Sequence, residues 1–297
     1  MLAAPPERVN NTRCVFSLIE IGPNTVAMMK KSDSPPTRRE AMSGLAKGLN
    51  VIRAFTYDSP SLTLSEIAGR AGLPAATARR CLLTLSELGY VMQSGRNFLL
   101  RPKVLELGAA YLDSMNIEVL TRTYLEDLAR QTGDSAALTV LDGMHIVYVA
   151  RTSVRTLMRL EAHVGSRLPA YPTSMGRVLL AGLSQERLQK YFAAAEFTAL
   201  TERTVTDRSK LIALIDECRR AGYAAVEDEL AYGVVAVAVP VFDKSRRVVA
   251  ALNSSSHSKK ITRAKLVKER LALLQSVSAQ ISRELQRVPG LSLSAQT

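Results

Sequence analysis

The stretch Leu64-Ser65-Glu66-Ile67-Ala68-Gly69-Arg70-Ala71-Gly72-Leu73-Pro74-Ala75-Ala76-Thr77-Ala78-Arg79-Arg80 decides the fold. Thr63 precedes it as an N-cap, and Glu66, three residues on, completes a capping box in which each side chain accepts the other residue's backbone N–H. The short helix this opens, Leu64 to Ala71, stops at Gly72, where glycine takes a left-handed conformation without steric penalty. Pro74 opens the next helix at a position where its missing N–H removes no bond. That helix runs to Leu88 and stops at Gly89. Helix, tight turn and helix at this spacing make a helix-turn-helix: Ile67, Ala68 and Leu73 pack inward while Gly72 makes the turn.

Working outward, Leu45, Leu49, Ile52 and Phe55 recur at helical spacing and predict an earlier helix with those four on one face, ended by Pro60 and Ser61. Downstream, Tyr90 to Gln93 and Arg96 to Leu100 read as two short strands around a Ser94-Gly95 turn, a wing. On the helix after Pro74, Ala78, Leu82, Leu85 and Leu88 form the buried face. Ala76, Thr77, Arg80 and Thr84 lie opposite, where a major groove is reachable. Arg80 suits a fork onto guanine O6 and N7, and Thr77 a phosphate or a thymine methyl. Arg79, at the edge of that face, suits phosphate, and Arg96, at the hairpin tip, suits a minor groove. Singly, such arginines read equally well as a solvated face. Together with the helix spacing and the wing they make double-stranded DNA the expected partner, contacted by Ala76, Thr77, Arg79, Arg80, Thr84 and Arg96.

The 297 residues suffice for two domains, and 47% hydrophobic with 22% charged residues is a globular composition. A net charge of +12 and a pI near 9.8 favour a polyanionic partner. Between Gly44 and Met115, however, eight Lys/Arg stand against five Asp/Glu, so the motif carries more weight than the charge. Cys14, Cys81 and Cys218 are too far apart for a disulfide framework or a zinc site, and a reducing cytoplasm is the simplest reading. The apolar run Val234 to Phe242 is far shorter than the roughly 20 residues of a membrane helix and reads as a buried strand, so no membrane partner is expected. Val15 to Met29, interrupted by Glu20, Gly22, Pro23 and Asn24, is not a signal peptide.

Five segments follow. Residues 1–42, rich in proline, read as a disordered leader with Met28, Met29 and Met42 as alternatives to Met1 as the start, and Lys30, Lys31, Arg38 and Arg39 as a candidate basic arm. Residues 43–101 form the winged helix-turn-helix, 102–116 a linker helix carrying Leu105, Leu112 and Met115, 117–288 a second domain, and 289–297 a flexible tail. In the second domain a helix over Ile117 to Gln131 precedes strands at Ser135 to Leu141, Ile146 to Arg151 (joined by Asp142-Gly143) and Thr156 to Ala162. Helices follow at Ser174 to Gly182, Gln185 to Ala194 and Arg208 to Ala221. Strands at Val234 to Val241 and Val248 to Leu252 precede a final helix, Arg263 to Gln286, striped by Leu266, Leu271, Leu274, Val277, Ile281 and Leu285. The class is α+β, with a mixed sheet flanked by helices.

Catalytic chemistry is hard to find. There is no nucleophile elbow, phosphate loop, dinucleotide fingerprint or zinc-protease motif. His145, His163 and His257 are isolated, so no metal site arises. Asp228 and Glu229, neighbours that point apart, read as a solvated loop rather than an acid–base pair. Cys81 reads as a small core residue rather than a redox sensor. The chain is expected not to be an enzyme, and no cofactor is called for.

Residues 44 to 288 resemble the IclR family of bacterial regulators. The resemblance rests on Gly48-Leu49-Asn50-Val51-Ile52, on Ala76-Thr77-Ala78-Arg79-Arg80, on Leu85-Ser86-Glu87-Leu88-Gly89-Tyr90-Val91 and on Leu168 to Ala181. It rests also on Gly222-Tyr223 with Glu227-Asp228-Glu229 and on Val239-Pro240-Val241-Phe242-Asp243. Thr173-Ser174-Met175-Gly176-Arg177 and Ala251-Leu252-Asn253 look most like the subgroup governing protocatechuate, 4-hydroxybenzoate and β-ketoadipate catabolism. The resemblance implies a ligand-responsive transcription regulator with a GAF-like effector-binding domain, acting as a homodimer or dimer of dimers. It implies a pocket walled by Ser174, Met175, Val234, Ala236, Asn253 and Ser255, and an aromatic or ring-derived carboxylate as effector. Physically, a helix start at Ser174 favours an anion, and Asn253 and Ser255, two apart on a strand, share a face. The plainer alternative makes Ser174 a helix cap and Asn253 and Ser255 solvated strand-end residues. Two departures bear on the ligand: Val235-Ala236 stand where the family often has Arg then Cys or Ser, and Ser254 where the subgroup has an apolar residue. The alternatives are an IclR-type regulator of another small-acid or sugar-acid pathway, or an enzyme fused to a DNA-binding module.

Overall fold

A computed structural model describes residues 42–56, 58–115, 117–152 and 162–287. The expected leader with its basic arm, the strand Thr156 to Ala162 except its last residue, the packing of Leu112 and Met115, and the tail lie outside the described residues or side chains. The described residues fall into two compact units that divide between Leu83 and Thr84.

The first unit holds α1 (Ser43–Arg53), β1 (Ser61–Thr63), α2 (Leu64–Ala71) and most of α3 (Ala75–Glu87). The capping box forms: Thr63 N donates to Glu66 Oε2 at 2.8 Å and Glu66 N to Thr63 Oγ1 at 3.4 Å. The Thr63 hydrogen bonds hold the Glu66 carboxyl below its ordinary pKa. Gly72, at φ 63°, ends α2 in the left-handed conformation. Val51, Leu62, Ile67, Ala68, Ala78 and Leu82 are buried here. Arg70 fastens the loop after α1, donating to Ala54 O at 3.2 Å and to Ser59 Oγ at 2.8 Å. Of the residues that share the expected face of α1, Leu45 and Leu49 are 61% and 45% exposed, and Val51 is the buried residue of the helix. Only the C-terminal half of α1 reaches the small core, so its first turns carry their leucines into solvent.

In the second unit, α3 ends at Glu87, which leaves Leu88 in the following turn and 52% exposed rather than on the buried face. β2 (Val91–Ser94) and β3 (Asn97–Leu100) pair from Val91↔Leu100 to Ser94↔Asn97. The turn is therefore Gly95-Arg96, one place later than expected, with Gly95 at φ 60°. After a 3-10 turn at Pro102–Val104 come α4 (Leu105–Met115) and α5 (Ile117–Thr132).

Next come β4 (Ser135–Asp142), β5 (His145–Thr152), β6 (Arg167–Pro169), α6 (Ser174–Ala181), α7 (Gln185–Ala194), α8 (Arg208–Ala221), β7 (Ala224–Glu227), β8 (Val234–Phe242), β9 (Val248–His257) and α9 (Arg263–Arg287). Among the described residues the strands form one sheet in the order β6-β5-β4-β9-β8-β7. Every pairing in it is antiparallel, which corrects the expected mixed sheet. β4 and β5, β7 and β8, and β8 and β9 are chain neighbours that turn back on each other, where a parallel neighbour would need a crossover.

Strand alternation sorts the sheet into two cores. Ala136, Leu138, Val235, Val237, Val239 and Leu252 face α5 and α9. Ala137, Tyr148, Ala238 and Ala251 face α6, α7 and α8. β7 is shorter than β8, and α9 covers the remaining edge of β8. Ser278 Oγ donates to Pro240 O at 2.5 Å, Ser282 Oγ accepts from Phe242 N at 3.0 Å, and Gln286 Nε2 donates to Asp243 O at 3.2 Å. Polar residues every fourth position along a helix thus satisfy backbone groups that a strand would otherwise take.

Candidate functional site

α3 continues unbroken from Ala75 to Glu87, and Ala76, Arg79, Arg80 and Thr84 are exposed on it, with Thr77 half-buried. Ala76, Arg80 and Thr84 lie four apart on one stripe, away from buried Ala78, Leu82 and Leu85. Arg96 is exposed in the β2–β3 turn. A helix stripe of this kind, with one small residue, one arginine and one hydroxyl, suits a groove of base edges.

The ligand residues expected from the sequence are brought together. One cavity of about 30 Å³ in the second unit is lined by Ser174, Met175, Val234, Ala236, Asn253 and Ser255. Ala137, Tyr148, Arg151, Pro172, Thr173, Val226 and Leu230 complete it. Its present space suits about two waters, so a ring-sized guest requires the lining to move outward. The sheet forms the floor. Register places Arg151 opposite Ala137, Ala137 opposite Asn253, and Asn253 opposite Ala238, one row across β5, β4, β9 and β8. Arg151 and Asn253 therefore flank the small Ala137 at two strand spacings, roughly 9.6 Å.

Three features of the walls are chemically active. Asn253 is buried, and its Oδ1 has no hydrogen-bond partner, a state that costs about 1–3 kcal/mol unless a guest relieves it. Burial pushes the Tyr148 hydroxyl up to about 12, against the opposing effect of Arg151, so it is a neutral donor at neutral pH. At the roof, Thr173 rather than Ser174 caps α6, accepting from Gly176 N at 2.9 Å. Ser174 is the first helical residue and is buried. Neither the capping role for Ser174 nor a solvated Asn253 agrees with this placement. The close roof depends on Gly176, where a Cβ would lie 1.9 Å from Ala170 O.

Tyr148 and Arg151 were not among the sequence candidates. Plain alternation puts positions 148 and 151 on opposite faces. The register shifts between Leu138↔Ala150 and Thr139↔Tyr148, leaving Val149 as an extra residue that turns Arg151 back to the face of Tyr148. Of the two departures noted, Val235 and Ser254 face the α5/α9 side, and only Ala236 touches the cavity.

The solvated loop expected at Asp228 and Glu229 is corrected. Glu229 is buried and accepts from Arg177 Nη2 at 2.5 Å. Asp228, at φ 58°, accepts from Gly233 N at 2.7 Å and from Ser258 Oγ at 3.1 Å. The fold uses both to shape the connection that presents Leu230. Cys81 is half-buried. No group of His, Cys, Asp and Glu among the described residues is placed to hold a metal ion. No helix among them is long and apolar enough to cross a membrane.

Comparison with known proteins matches residues 44–95 to the IclR helix-turn-helix domain and residues 109–283 to the bacterial transcriptional regulator IclR C-terminal domain. The chain is 39% identical over 272 residues to the Pca regulon regulatory protein of Pseudomonas putida, covering 89% of this chain and 94% of that one. A transcriptional regulator from Rhodococcus sp. RHA1 superposes with a TM-score of 0.73 at 40% identity, covering 82% of this chain and 98% of its own. The inducer-binding domain of a double mutant of the PobR transcription factor from Acinetobacter, in complex with 3-hydroxybenzoic acid, matches with a TM-score of 0.52 at 30% identity, covering 56% of this chain and 97% of its own.

Proposed function

The chain belongs to the IclR family of bacterial transcriptional regulators, and from that premise we propose that its cavity takes an aromatic or ring-derived carboxylate. It is a DNA-binding, effector-responsive transcription regulator and not an enzyme, as its family and relatives are. The carboxylate of a 4-hydroxybenzoate or protocatechuate meets Arg151 and the N-terminal turn of α6 at Ser174. The ring lies over Ala137 against Met175, Val234 and Ala236, and the phenolic hydroxyl donates to Asn253 Oδ1, with Ser255 beside it. The single observation that carries this reading is the row Arg151–Ala137–Asn253, a cation and an unpartnered acceptor either side of a small floor. It agrees in chemistry with the hydroxybenzoate held by the Acinetobacter domain.

On the same reading, residues 43–101 bind the operator through Ala76, Thr77, Arg79, Arg80, Thr84 and Arg96, 102–116 link, and 117–288 sense. The protein works in the cytoplasm as a homodimer or dimer of dimers, since two recognition helices must meet half-sites related by a two-fold axis. Exposed Leu105, Leu107 and Tyr111 on α4 supply apolar surface for that pairing. The experiment is calorimetry with a panel of hydroxybenzoates, β-ketoadipate and sugar acids, with light scattering for assembly. Binding by the ring acids with no heat from the sugar acids is expected. Binding of sugar acids alone overturns the effector class, and a monomer that retains full operator binding overturns the assembly.

A further inference from the structure

Opposite the cavity, on the α5/α9 side of the sheet, lies a second polar cluster. Asp134, at the end of α5, is 2% exposed. Its Oδ2 accepts from Arg270 Nε at 2.9 Å and from Ser254 Oγ at 3.3 Å. Its Oδ1 accepts no hydrogen bond and stands 3.9 Å from Lys260 Nζ. The same two cations hold the last carbonyl of α5 and the one after it: Arg270 Nη2 donates to Thr132 O at 3.1 Å and Lys260 Nζ to Gly133 O at 3.3 Å. A buried carboxylate is tolerated only while its partners stay in place, so loss of one donor disturbs the others.

β9 joins this cluster to the cavity. Asn253 and Ser255 line the cavity, and Ser254 between them reaches Asp134 on the other face. Alternate residues of a strand share one backbone, so moving Asn253 moves Ser254. Asn253 Oδ1 is buried without a partner, so a guest that donates to it acts directly on β9. α5, whose end the cluster holds, starts at Ile117 directly after α4, which in the chain follows the β2–β3 wing.

We propose that Ser254 and Asp134 are positioning residues for regulation, forming a latch through which cavity occupancy is read at the end of α5. The proposal rests on the effector reading above and adds to it the route of the signal. A latch of this kind must differ between the liganded and unliganded states, since a ligand shifts an equilibrium only by its differential affinity.

Two measurements on the full chain test it. Without ligand, hydrogen exchange of the amides from Arg130 to Asp134 is compared among wild type, Ser254→Ala and Asp134→Asn. Exchange about threefold faster or more in both variants is expected, and unchanged exchange overturns the latch. With ligand, 4-hydroxybenzoate and protocatechuate are titrated with and without the DNA upstream of the gene. Ser254→Ala should bind the acid within about twofold of wild type, while the acid's effect on DNA affinity, typically about 5–150-fold for coupled sites, falls to about twofold or less. A structural role alone weakens both affinities and leaves their ratio. A wild-type response in Ser254→Ala overturns the proposal. If neither acid acts on wild type, the effector reading fails instead, and the exchange comparison still decides whether Ser254 and Asp134 hold the end of α5.

Discussion

Arg177 in α6 and Glu229 in the β7–β8 connection form a buried ion pair, Nη2 to Oε2 at 2.5 Å, with side chains only 4% and 8% exposed. Arg177 Nε donates also to Tyr171 O at 3.1 Å, so one guanidinium ties the turn before α6 to the connection carrying Leu230. Thr204 Oγ1 donates to Glu229 O and Thr201 Oγ1 to Asp228 O, each at 2.6 Å. The roof of the cavity is thus fixed from three sides by charge-assisted and hydroxyl bonds.

Removing one partner of such a pair leaves the other charge buried and unpaired. Glu229→Ala is expected to lower stability by about 3–5 kcal/mol, while Arg177→Met with Glu229→Leu recovers most of it, because apolar replacement of both removes the desolvation penalty. Urea unfolding of wild type, Glu229→Ala and the double variant measures this. A double variant no more stable than Glu229→Ala refutes the pairing energetics.

Gly176→Ala tests the close approach of α6 to the preceding turn. A methyl 1.9 Å from Ala170 O forces backbone movement, since the obstacle is not a flexible side chain. Overpacking of this sort costs about 1–3 kcal/mol or more. The melting temperature should fall, and acid binding should weaken because Ser174 and Met175 move with the helix. A variant with the melting temperature of wild type contradicts the geometry.

Arg80→Ala concerns the DNA side. Arg80 is exposed on the α3 stripe with Ala76 and Thr84. If it forks onto a guanine, its loss lowers operator affinity by about 1–3 kcal/mol and relaxes preference at that base pair. Competitive binding against operators changed at single positions reads both effects. An unchanged base preference removes Arg80 from the reading set.

Much of this arrangement was legible because local chemistry agrees with the fold. The capping box at Thr63 and Glu66, the stop at Gly72 and the limits of α7 and α8 follow from caps and periodicity that tertiary packing does not override. The shared face of Asn253 and Ser255 follows from strand parity alone. β1, β6 and β7, of three or four residues, are too short for alternation to show, whereas the equally short β2 and β3 are betrayed by the turn signal at Ser94-Gly95 between them. Arg151 was hidden by the bulge at Val149, which depends on the pairing with β4 and has no mark in β5 itself. Leu45 and Leu49 obey the helix period and still face solvent, because period reports which residues share a face, not whether anything covers it.

Alkaline pH should destabilise the folded chain. Burial pushes the Cys218 thiol from 9.0 up to about 12 and the Tyr148 hydroxyl from 10.0 up to about 12. The folded state keeps these protons where the unfolded chain loses them. Stability is therefore untouched below pH 9 and falls as pH rises towards 12, by about 1.4 kcal/mol per pH unit for each group. Urea midpoints of wild type and Cys218→Ser between pH 8 and 10.5 show it. The serine variant should lose the part of the slope that begins near pH 9, and identical slopes contradict the assignment to Cys218.

Arg151→Met isolates the charge from the shape of the cavity. The side chain comes from β5 beside Ala137, and methionine keeps much of its apolar stem while removing the guanidinium. A hydrogen bond to a charged group contributes about 1.5–3 kcal/mol, so 4-hydroxybenzoate affinity should fall roughly tenfold to a hundredfold. The methyl ester of the same acid, which carries no charge, should bind wild type and variant alike. That contrast separates a lost carboxylate contact from a cavity that has merely collapsed, since collapse weakens acid and ester together. Tyr148→Phe supplies the control from the same strand: it removes a neutral donor, so its effect on the acid should be smaller, nearer to about 1 kcal/mol. If the acid keeps its wild-type affinity in Arg151→Met, the carboxylate is received elsewhere. The N-terminal turn of α6 at Ser174 is then the group to test.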